Sequence, residues 1–247
     1  MRKKAINSSS AKLQPMQALL LALSEDLALP LLQIKTGLEV VEQQNFSKPV
    51  ARVQTEKLML VADNGLGLIE AYRYALKAIS EPDQPAEPIS IGAILNDVAQ
   101  QIYPYAKKYN TSIQVDVRGR PAPVLAHQPS LQAALEVLGT SLIRAQSASE
   151  VKKKYHLLLG AHRSGGHVST GAFSNLGGLS DKALRMARSL VGNARNPIPQ
   201  VPPGAASGIL IADMLCSAMW QPLRATAHKN LHGLSTTLPL SRQLNLV

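Results

Sequence analysis

The N-terminal third of the chain contains two segments in which hydrophobic residues recur every three or four positions. That spacing places them on one face of a helix. In the first segment these residues are Leu20, Leu23, Leu27, Leu31, Ile34, Leu38 and Val41. The pattern predicts a helix from about Leu13 to Gln44. We expect a kink at Pro30, because a proline inside a helix costs about 3 kcal/mol.

The second segment predicts a helix from about Val50 to Ile79. Its apolar face carries Leu58, Val61, Gly65, Leu68, Tyr72 and Ala75. The break at Asn45–Pro49 is short, so the two helices are expected to form an antiparallel hairpin. A lone hairpin leaves apolar surface uncovered, and pairing two hairpins into a four-helix bundle covers it. The pattern therefore predicts a homodimer.

Polarity and proline content divide the chain into four parts. Residues 1–12 are polar and Ser-rich and are expected to form a flexible tail. The helical hairpin occupies 13–80. Glu81–Pro88 contains three prolines and three acids in eight residues, which is typical of a linker. Residues 89–247 form the second domain.

The second domain mixes helical periodicity with the alternation typical of strands. The predicted strands are Ile89–Ile91, Thr111–Arg118, Val124–Ala126, Lys154–Ala161, His167–Phe173, Leu223–His228 and Leu234–Leu240. The predicted helices are Ala93–Tyr109, Pro129–Gln146, Asp181–Val191 and Ser207–Met219, with a loop at Gly192–Gly204. Helices on one face of a mixed sheet give an α/β sandwich, so the whole chain is expected to be α+β.

Composition narrows the function classes. Aromatic residues make up 4% of the chain, and the net charge is +10. That charge favours an acidic partner, although a basic surface can serve solubility alone. Cys216 is the single cysteine, and the histidines join no acid cluster, so we expect no metal site and no cofactor. The apolar run Leu19–Leu32 is too short and too charged to span a membrane, which predicts a cytoplasmic protein.

Ser24-Glu25-Asp26-Leu27-Ala28-Leu29-Pro30-Leu31 resembles the H-box of sensor histidine kinases, Ser-His-(Glu/Asp)-Leu-Arg-(Thr/Asn)-Pro-Leu. Glu25 stands where the phosphoaccepting histidine is expected. The element order after residue 88 is similar to that of the family's Bergerat-type ATP-binding domain. The resemblance implies a hairpin that dimerises and an ATPase-like sandwich.

The residues that would hold Mg-ATP depart from the family's motifs. Val137 and Ser141 occupy the two asparagine positions of the N-box, and neither suits a hard cation as asparagine does. Ser174 replaces the aspartate expected to bind adenine, while Gly178 is retained in that motif. In the phosphate loop only Gly208 survives. Ser141, Ser174, Gly178 and Gly208 therefore define a degenerate nucleotide site.

The resemblance implies a non-catalytic pseudokinase, similar to histidine phosphotransferases, that binds a response-regulator receiver domain or another kinase. The family's docking surface corresponds on the first helix to Glu25, Asp26, Leu29, Gln33 and Thr36. Glu25 is either a solvent-exposed charge or a weak mimic of phosphohistidine. Two alternatives stay open: an active enzyme with a diverged nucleotide site, and a basic nucleic-acid-binding regulator. The second ranks last because no recognition helix or aromatic platform is visible.

Overall fold

The computed structural model of the protein describes residues 24, 27–28, 30–43, 48–80, 85–119, 122–147, 154–176, 179–188 and 203–241. The chain divides into two compact units, Met1–Arg73 and Tyr74–Val247. None of the helices within these described ranges combines the length and hydropathy of a membrane span.

The first unit contains two helices that pack against each other. Helix α1 covers 30–43, and helix α2 runs from Lys48 to Ser80 and continues into the second unit. A Cβ placed on Gly65 would lie 3.8 Å from Pro30 Cβ, and a Cβ placed on Gly37 would overlap Leu58. Pro30 is near Gly65, whereas Gly37, farther along α1, is near Leu58, which comes earlier in α2. The two helices are therefore antiparallel where they touch.

The apolar stripe of α2 is buried as its spacing predicts. Val61, Gly65, Leu68, Tyr72 and Ala75 are buried, and Leu58 is half-buried. Each lies within about 60° of a common direction on a helix with 3.6 residues per turn. This is therefore the buried face of α2.

The single stripe expected for α1 is wrong in part. Pro30 is buried and Ile34, Gly37 and Val41 are half-buried, whereas Leu31 and Leu38 are 61% and 55% exposed. Successive residues turn by 100°, so Leu31 and Leu38 lie about 90° and 70° away from the centre of the buried stripe. The proline and the glycine occupy the contact with α2 instead, because they allow the two backbones to approach closely.

The second unit is built on a five-stranded sheet of order β2-β4-β5-β7-β6. Its strands are β2 Thr111–Arg118, β4 Tyr155–Ser164, β5 His167–Ser174, β6 Arg224–His228 and β7 Leu231–Pro239. Strands β2 and β4 are parallel, and the other neighbours are antiparallel. A separate two-stranded ladder pairs β1, Glu87–Ile89, with β3, Val124–Ala126.

One face of the large sheet is apolar and is covered by helices. Helix α3 (Ile91–Lys108) packs on β2 and β4, and α4 (Gln128–Ser147) packs on β4 and β5. Helix α6 (Pro203–Ala218) packs on α4, and the short α5 (Asp181–Arg188) lies beside β6. The strands contribute mainly apolar residues to this core: Leu157, Leu159, Ala161, Val168, Ala172, Leu234 and Leu238.

Several predicted element bounds are wrong by one to four residues, and two of these differences have a clear local cause. The strand expected at Ile89–Ile91 ends at Ile89, because Ser90 is the N-cap of α3 and its hydroxyl accepts the Ala93 N–H bond at 3.5 Å. The helix expected from Ser207 begins four residues earlier, at Pro203, since proline fits the first turn, where its missing N–H costs nothing. The rest of the loop expected at Gly192–Gly204, up to residue 202, lies outside the described residues.

Candidate functional site

Helix α4 carries the two positions at which the resemblance implies magnesium ligands. His127 caps the start of this helix: its carbonyl accepts the Leu131 N–H, and its Nδ1 lies 2.8 Å from Ser130 Oγ. Val137 and Ser141, one turn apart on the same side of α4, are 5% and 1% exposed. Both predicted site positions therefore lie in the protein interior.

The partner that buries Val137 and Ser141 is helix α6. A Cβ placed on Gly208 would overlap Ser141 Oγ and would lie 3.1 Å from Val137 Cγ1. A side chain at this crossing would require Ser141 Oγ to move or the two helices to separate, so glycine gives the closest approach. Three predicted site positions, Val137, Ser141 and Gly208, are thus brought together, in direct helix–helix contact.

Ser141 is unusual among the buried polar residues of the second unit. Its Oγ atom has no hydrogen-bond partner in the part of the chain that the structure describes. An unsatisfied buried hydroxyl costs about 1–3 kcal/mol. The side chain therefore contributes little to this contact beyond its volume, and it is poorly placed to coordinate a metal because it abuts Gly208.

Ser174 ends strand β5, where the resemblance implies an adenine-binding aspartate. The residue is fully buried, and its Oγ accepts a hydrogen bond of 3.2 Å from the Leu176 N–H. This local turn is a common use of a serine hydroxyl. Gly178, the remaining predicted site residue, lies outside the described residues.

The predicted docking positions on the first helix are described only in part. Glu25, Asp26 and Leu29 lie outside the described residues, whereas Gln33 and Thr36 are exposed on α1.

The structure adds an ionic cluster that sequence reasoning missed. Asp116 on β2 accepts hydrogen bonds from Lys229 Nζ at 2.7 Å and from Arg118 Nε at 3.3 Å. His228 Nε2 lies 2.7 Å from the same carboxylate. Because Lys229 and His228 donate to the carboxylate, the pKa of Asp116 falls from 3.8 to about 2.

The cluster links opposite edges of the sheet, β2 and the β6–β7 turn. His228 stacks on Phe173 at 5.2 Å between ring centroids and lies 5.6 Å from His162. Gly160 leaves room for this, since a Cβ there would lie 3.0 Å from Phe173 and 3.3 Å from His228. The only sequence signal was Asp116, the single acid in an alternating strand. Its partners His228 and Lys229 are 112 and 113 residues away, so sequence spacing could not reveal them.

The described residues contain no group of three or more histidine, cysteine or acidic side chains arranged to hold a metal ion. Cys216 is buried in α6, where burial raises the pKa of its thiol to about 12. A thiol with that pKa stays protonated and is a poor nucleophile.

Comparison with solved structures identifies the architecture. The Acinetobacter baumannii histidine kinase AdeS matches 86% of this chain over 95% of its own length, with a TM-score of 0.54 and 11% identity. The full-length ShkA structure, in complex with AMPPNP, matches 91% of this chain with a TM-score of 0.52 and 16% identity. This chain spans 46% of the ShkA chain.

No protein-family model matches the sequence, and the comparison with curated proteins found no match. The likeness to solved structures therefore rests on the fold. The mixed helices and five-stranded sheet are those of histidine-kinase ATP-binding domains, as the order of elements predicts. The chain has a histidine-kinase-like fold.

Proposed function

We propose that this protein is a non-catalytic, cytoplasmic two-component signalling protein: a dimeric, histidine-kinase-like scaffold that binds a response-regulator receiver domain. The observation that carries the proposal is the contact between α4 and α6. In a histidine-kinase-like fold, Gly208 rests directly on Val137 and Ser141, the positions at which Mg-ATP ligands are expected. A metal ion could reach Val137 or Ser141 from this side only if the two helices moved apart, which supports a non-catalytic role.

Homodimerisation is supported by apolar residues that the hairpin leaves exposed. Leu31 and Leu38 on α1 are seven residues apart, as are Met59 and Leu66 on α2, followed by Ile69. Their exposures range from 43% to 64%. Burying each against a second copy would contribute roughly 1–2 kcal/mol, taken from about 1.5–3 kcal/mol for a fully buried side chain. Heptad spacing is typical of helices that pair along their length.

The proposed receiver-binding residues lie on the other flank of α1. Gln33 and Thr36 point about 70° and 130° away from the centre of the buried stripe, on the side opposite to Leu31 and Leu38. Leu29 belongs to the same flank by spacing, and the exposed Val40 extends it by one turn. A dimer formed through Leu31 and Leu38 would therefore leave this flank available to a receiver.

The decisive experiment compares nucleotide and receiver binding by isothermal titration calorimetry. We expect no heat with Mg-ATP, no acid-labile phosphate after incubation with it, and a complex with a co-encoded receiver domain. Thr36→Glu should weaken that complex, while Lys57→Glu, an exposed change on α2, should not. Measurable Mg-ATP binding would favour the diverged enzyme instead, and failure of every receiver to bind would reject the scaffold.

The dimer is tested separately by analytical ultracentrifugation. Leu38→Lys and Leu66→Lys each place a charge among the exposed apolar residues of α1 and α2. Both variants should be monomeric. Lys35→Gln and Lys57→Gln are matched controls on exposed helical positions and should leave the dimer intact. A parent protein that sediments as a monomer at micromolar concentration would refute this part of the proposal.

A further inference from the structure

The β6–β7 turn makes contact with the opposite edge of the sheet. In the order β2-β4-β5-β7-β6, strands β2 and β6 are the two edges. The carboxylate oxygens of Asp116 on β2 nevertheless lie 2.7 Å from His228 Nε2, at the end of β6, and 2.7 Å from Lys229 Nζ, in the turn. The sheet therefore curls until its edges meet on the face away from the helices. We call Asp116, His228 and Lys229 the edge contact.

The turn that carries Lys229 has an unfavourable backbone conformation. Lys229 and Asn230 have φ angles of 47° and 64°, so both are in the left-handed region. Two consecutive residues with positive φ are typical of the I′ turn of a tight hairpin, in which asparagine and glycine are preferred and lysine is not. Such a residue persists only where surrounding contacts hold it in place. The ion pair with Asp116 is a contact of this kind, because it fixes the position of the Lys229 side chain.

A second histidine lies beside the edge contact. The register places His162 on β4 opposite Arg118 of β2 and Ser169 of β5. Its ring centroid is 5.6 Å from that of His228, and the residue is half-buried. Burial, and then the electrostatic effects of His228 and Arg118, lower the pKa of His162 below its usual value of 6.5. The neutral form of His162 is therefore favoured where the ring now lies.

A proton on His162 would find little compensation there. The charged and polar groups on the elements around it are Arg118 and Asp116 on β2, Ser169 on β5, His228 on β6 and Lys229 in the turn. Asp116 is the one carboxylate among these described residues, and its pKa of about 2 keeps it ionised near neutral pH. It already accepts bonds from Arg118 and Lys229 and contacts His228. Protonation of His162 would therefore add a positive charge beside a carboxylate that three donors already share.

We propose that the edge contact is a pH-sensitive switch, which is closed near neutral pH and opens when His162 gains a proton. In the closed state the His162 ring is half-buried, whereas in the open state it reaches water and titrates normally. Because the pKa of His162 is lower in the closed state, the stabilisation of that state is fully present above about pH 6.5 and decreases as the pH falls below that value. Histidine protonation in this range is a common way to switch a contact.

Opening would move the turn end of the β6–β7 hairpin. The other end of β6 is held by Asp181, whose Oδ1 accepts the Ala225 N–H bond at 2.8 Å. His228 is 5% exposed and stacks on Phe173, so opening would uncover both rings. The segment expected to change is therefore 226–233. This switch lies within the second unit and involves none of the proposed receiver-binding or dimer residues, so it does not depend on the proposed function.

The test is hydrogen–deuterium exchange of the full chain at pH 7.5 and 5.5, measured by mass spectrometry and corrected for the intrinsic pH dependence of exchange. Local opening lowers the protection of residues 226–233 without an equal change in the reference helix α3. His162→Gln cannot gain a proton, and the matched control His167→Gln removes an exposed histidine of β5. Asp116→Asn weakens the edge contact at both pH values. Circular dichroism melting shows whether each variant folds.

We expect the protection of residues 226–233 in the parent to fall about threefold to tenfold between pH 7.5 and 5.5, tenfold being the approximate limit for one histidine that titrates at its usual pKa only in the open state. His167→Gln should show the same fall, and His162→Gln should change by less than about twofold. Asp116→Asn should already be poorly protected at pH 7.5.

Three results would overturn the proposal: unchanged protection in the parent, a parental pH response in His162→Gln, or an equal fall in α3. If Asp116→Asn does not fold, the comparison of His162→Gln with His167→Gln still decides between the switch and a static contact.

Discussion

Gly208→Ala is the substitution that most directly tests the closed contact between α4 and α6. The added methyl group would overlap Ser141 Oγ and lie 3.1 Å from Val137 Cγ1 and 3.3 Å from Ser141 Cβ. Overpacking a tight contact costs about 1–3 kcal/mol. Replacing glycine by alanine inside a helix returns up to about 1 kcal/mol of helix propensity. We therefore expect a net destabilisation of about 0.5–2 kcal/mol.

A control and a rescue isolate the steric cause. In Gly92→Ala the nearest neighbour of the new methyl group would be Val117 Cγ2 at 3.9 Å, so helix propensity alone should stabilise the protein slightly. Ser141→Ala removes the overlapping oxygen and an unsatisfied buried hydroxyl, so it should be neutral or stabilising. When Ser141→Ala is added to Gly208→Ala, the free energy of unfolding should rise by at least about 1 kcal/mol.

The assay is urea unfolding monitored by circular dichroism, with melting temperatures as a second measure. A loss of about 1 kcal/mol should lower the melting temperature by roughly 2–4 °C in a chain of this size. Equal stability of Gly208→Ala and Gly92→Ala would contradict this expectation. So would an effect of Ser141→Ala that is the same in the parent and in the Gly208→Ala variant. Either result would mean that the two helices do not touch at these residues.

Two further predictions concern ionisable groups. Asp116→Asn should destabilise the protein by about 1–2 kcal/mol at pH 7, because hydrogen bonds to a charged group are lost at a site with some solvent access. The folded-state pKa of Asp116 lies near 2, below its ordinary value of 3.8, so this stabilisation is present above about pH 4 and disappears as the pH falls towards 2. In urea unfolding, the free energies of unfolding of Asp116→Asn and the parent should thus differ at pH 7 and become similar near pH 2. Equal values at pH 7 would show that the cluster does not stabilise the protein. Burial lowers the pKa of His127, so its neutral form stabilises the fold above pH 6.5, and this contribution is lost as the pH falls further. His127→Asn keeps a capping side chain and should make unfolding less sensitive to pH between 7.5 and 5.5; an unchanged pH profile would contradict the role of His127.

Local patterns predicted the elements well because they are determined within a few residues. Strand β2 begins and ends where the alternation of Thr111–Arg118 predicts, and the buried stripe of α2 follows its three- and four-residue spacing. The exposure of Leu31 and Leu38 could not be predicted in this way. A sequence shows that a leucine favours burial, but not whether the surface that covers it belongs to the same chain.

Contacts between residues that are far apart in the sequence could not be predicted, for a different reason. The pairing of Asp116 with His228 depends on the curvature of a sheet whose strands pair through registers that sequence alone does not specify. The closure of Ser141 by Gly208 depends on how closely two helices cross. Motif comparison indicated that the ligands of a nucleotide site were missing. It did not indicate that the remaining residues would be in contact with one another.

That contact has a thermodynamic consequence. A domain that binds a nucleotide gains folding stability from the ligand in proportion to the logarithm of its concentration. A descendant that no longer binds it loses that contribution, and an empty site would also forfeit packing. On the function proposed above, direct contact between α4 and α6 offsets part of both penalties, because Gly208 packs against Val137 and Ser141 and gains dispersion contacts there. Rebuilding a magnesium site would then require separation of the two helices as well as restoration of an asparagine, so Val137→Asn and Ser141→Asn together should destabilise the protein without conferring nucleotide binding.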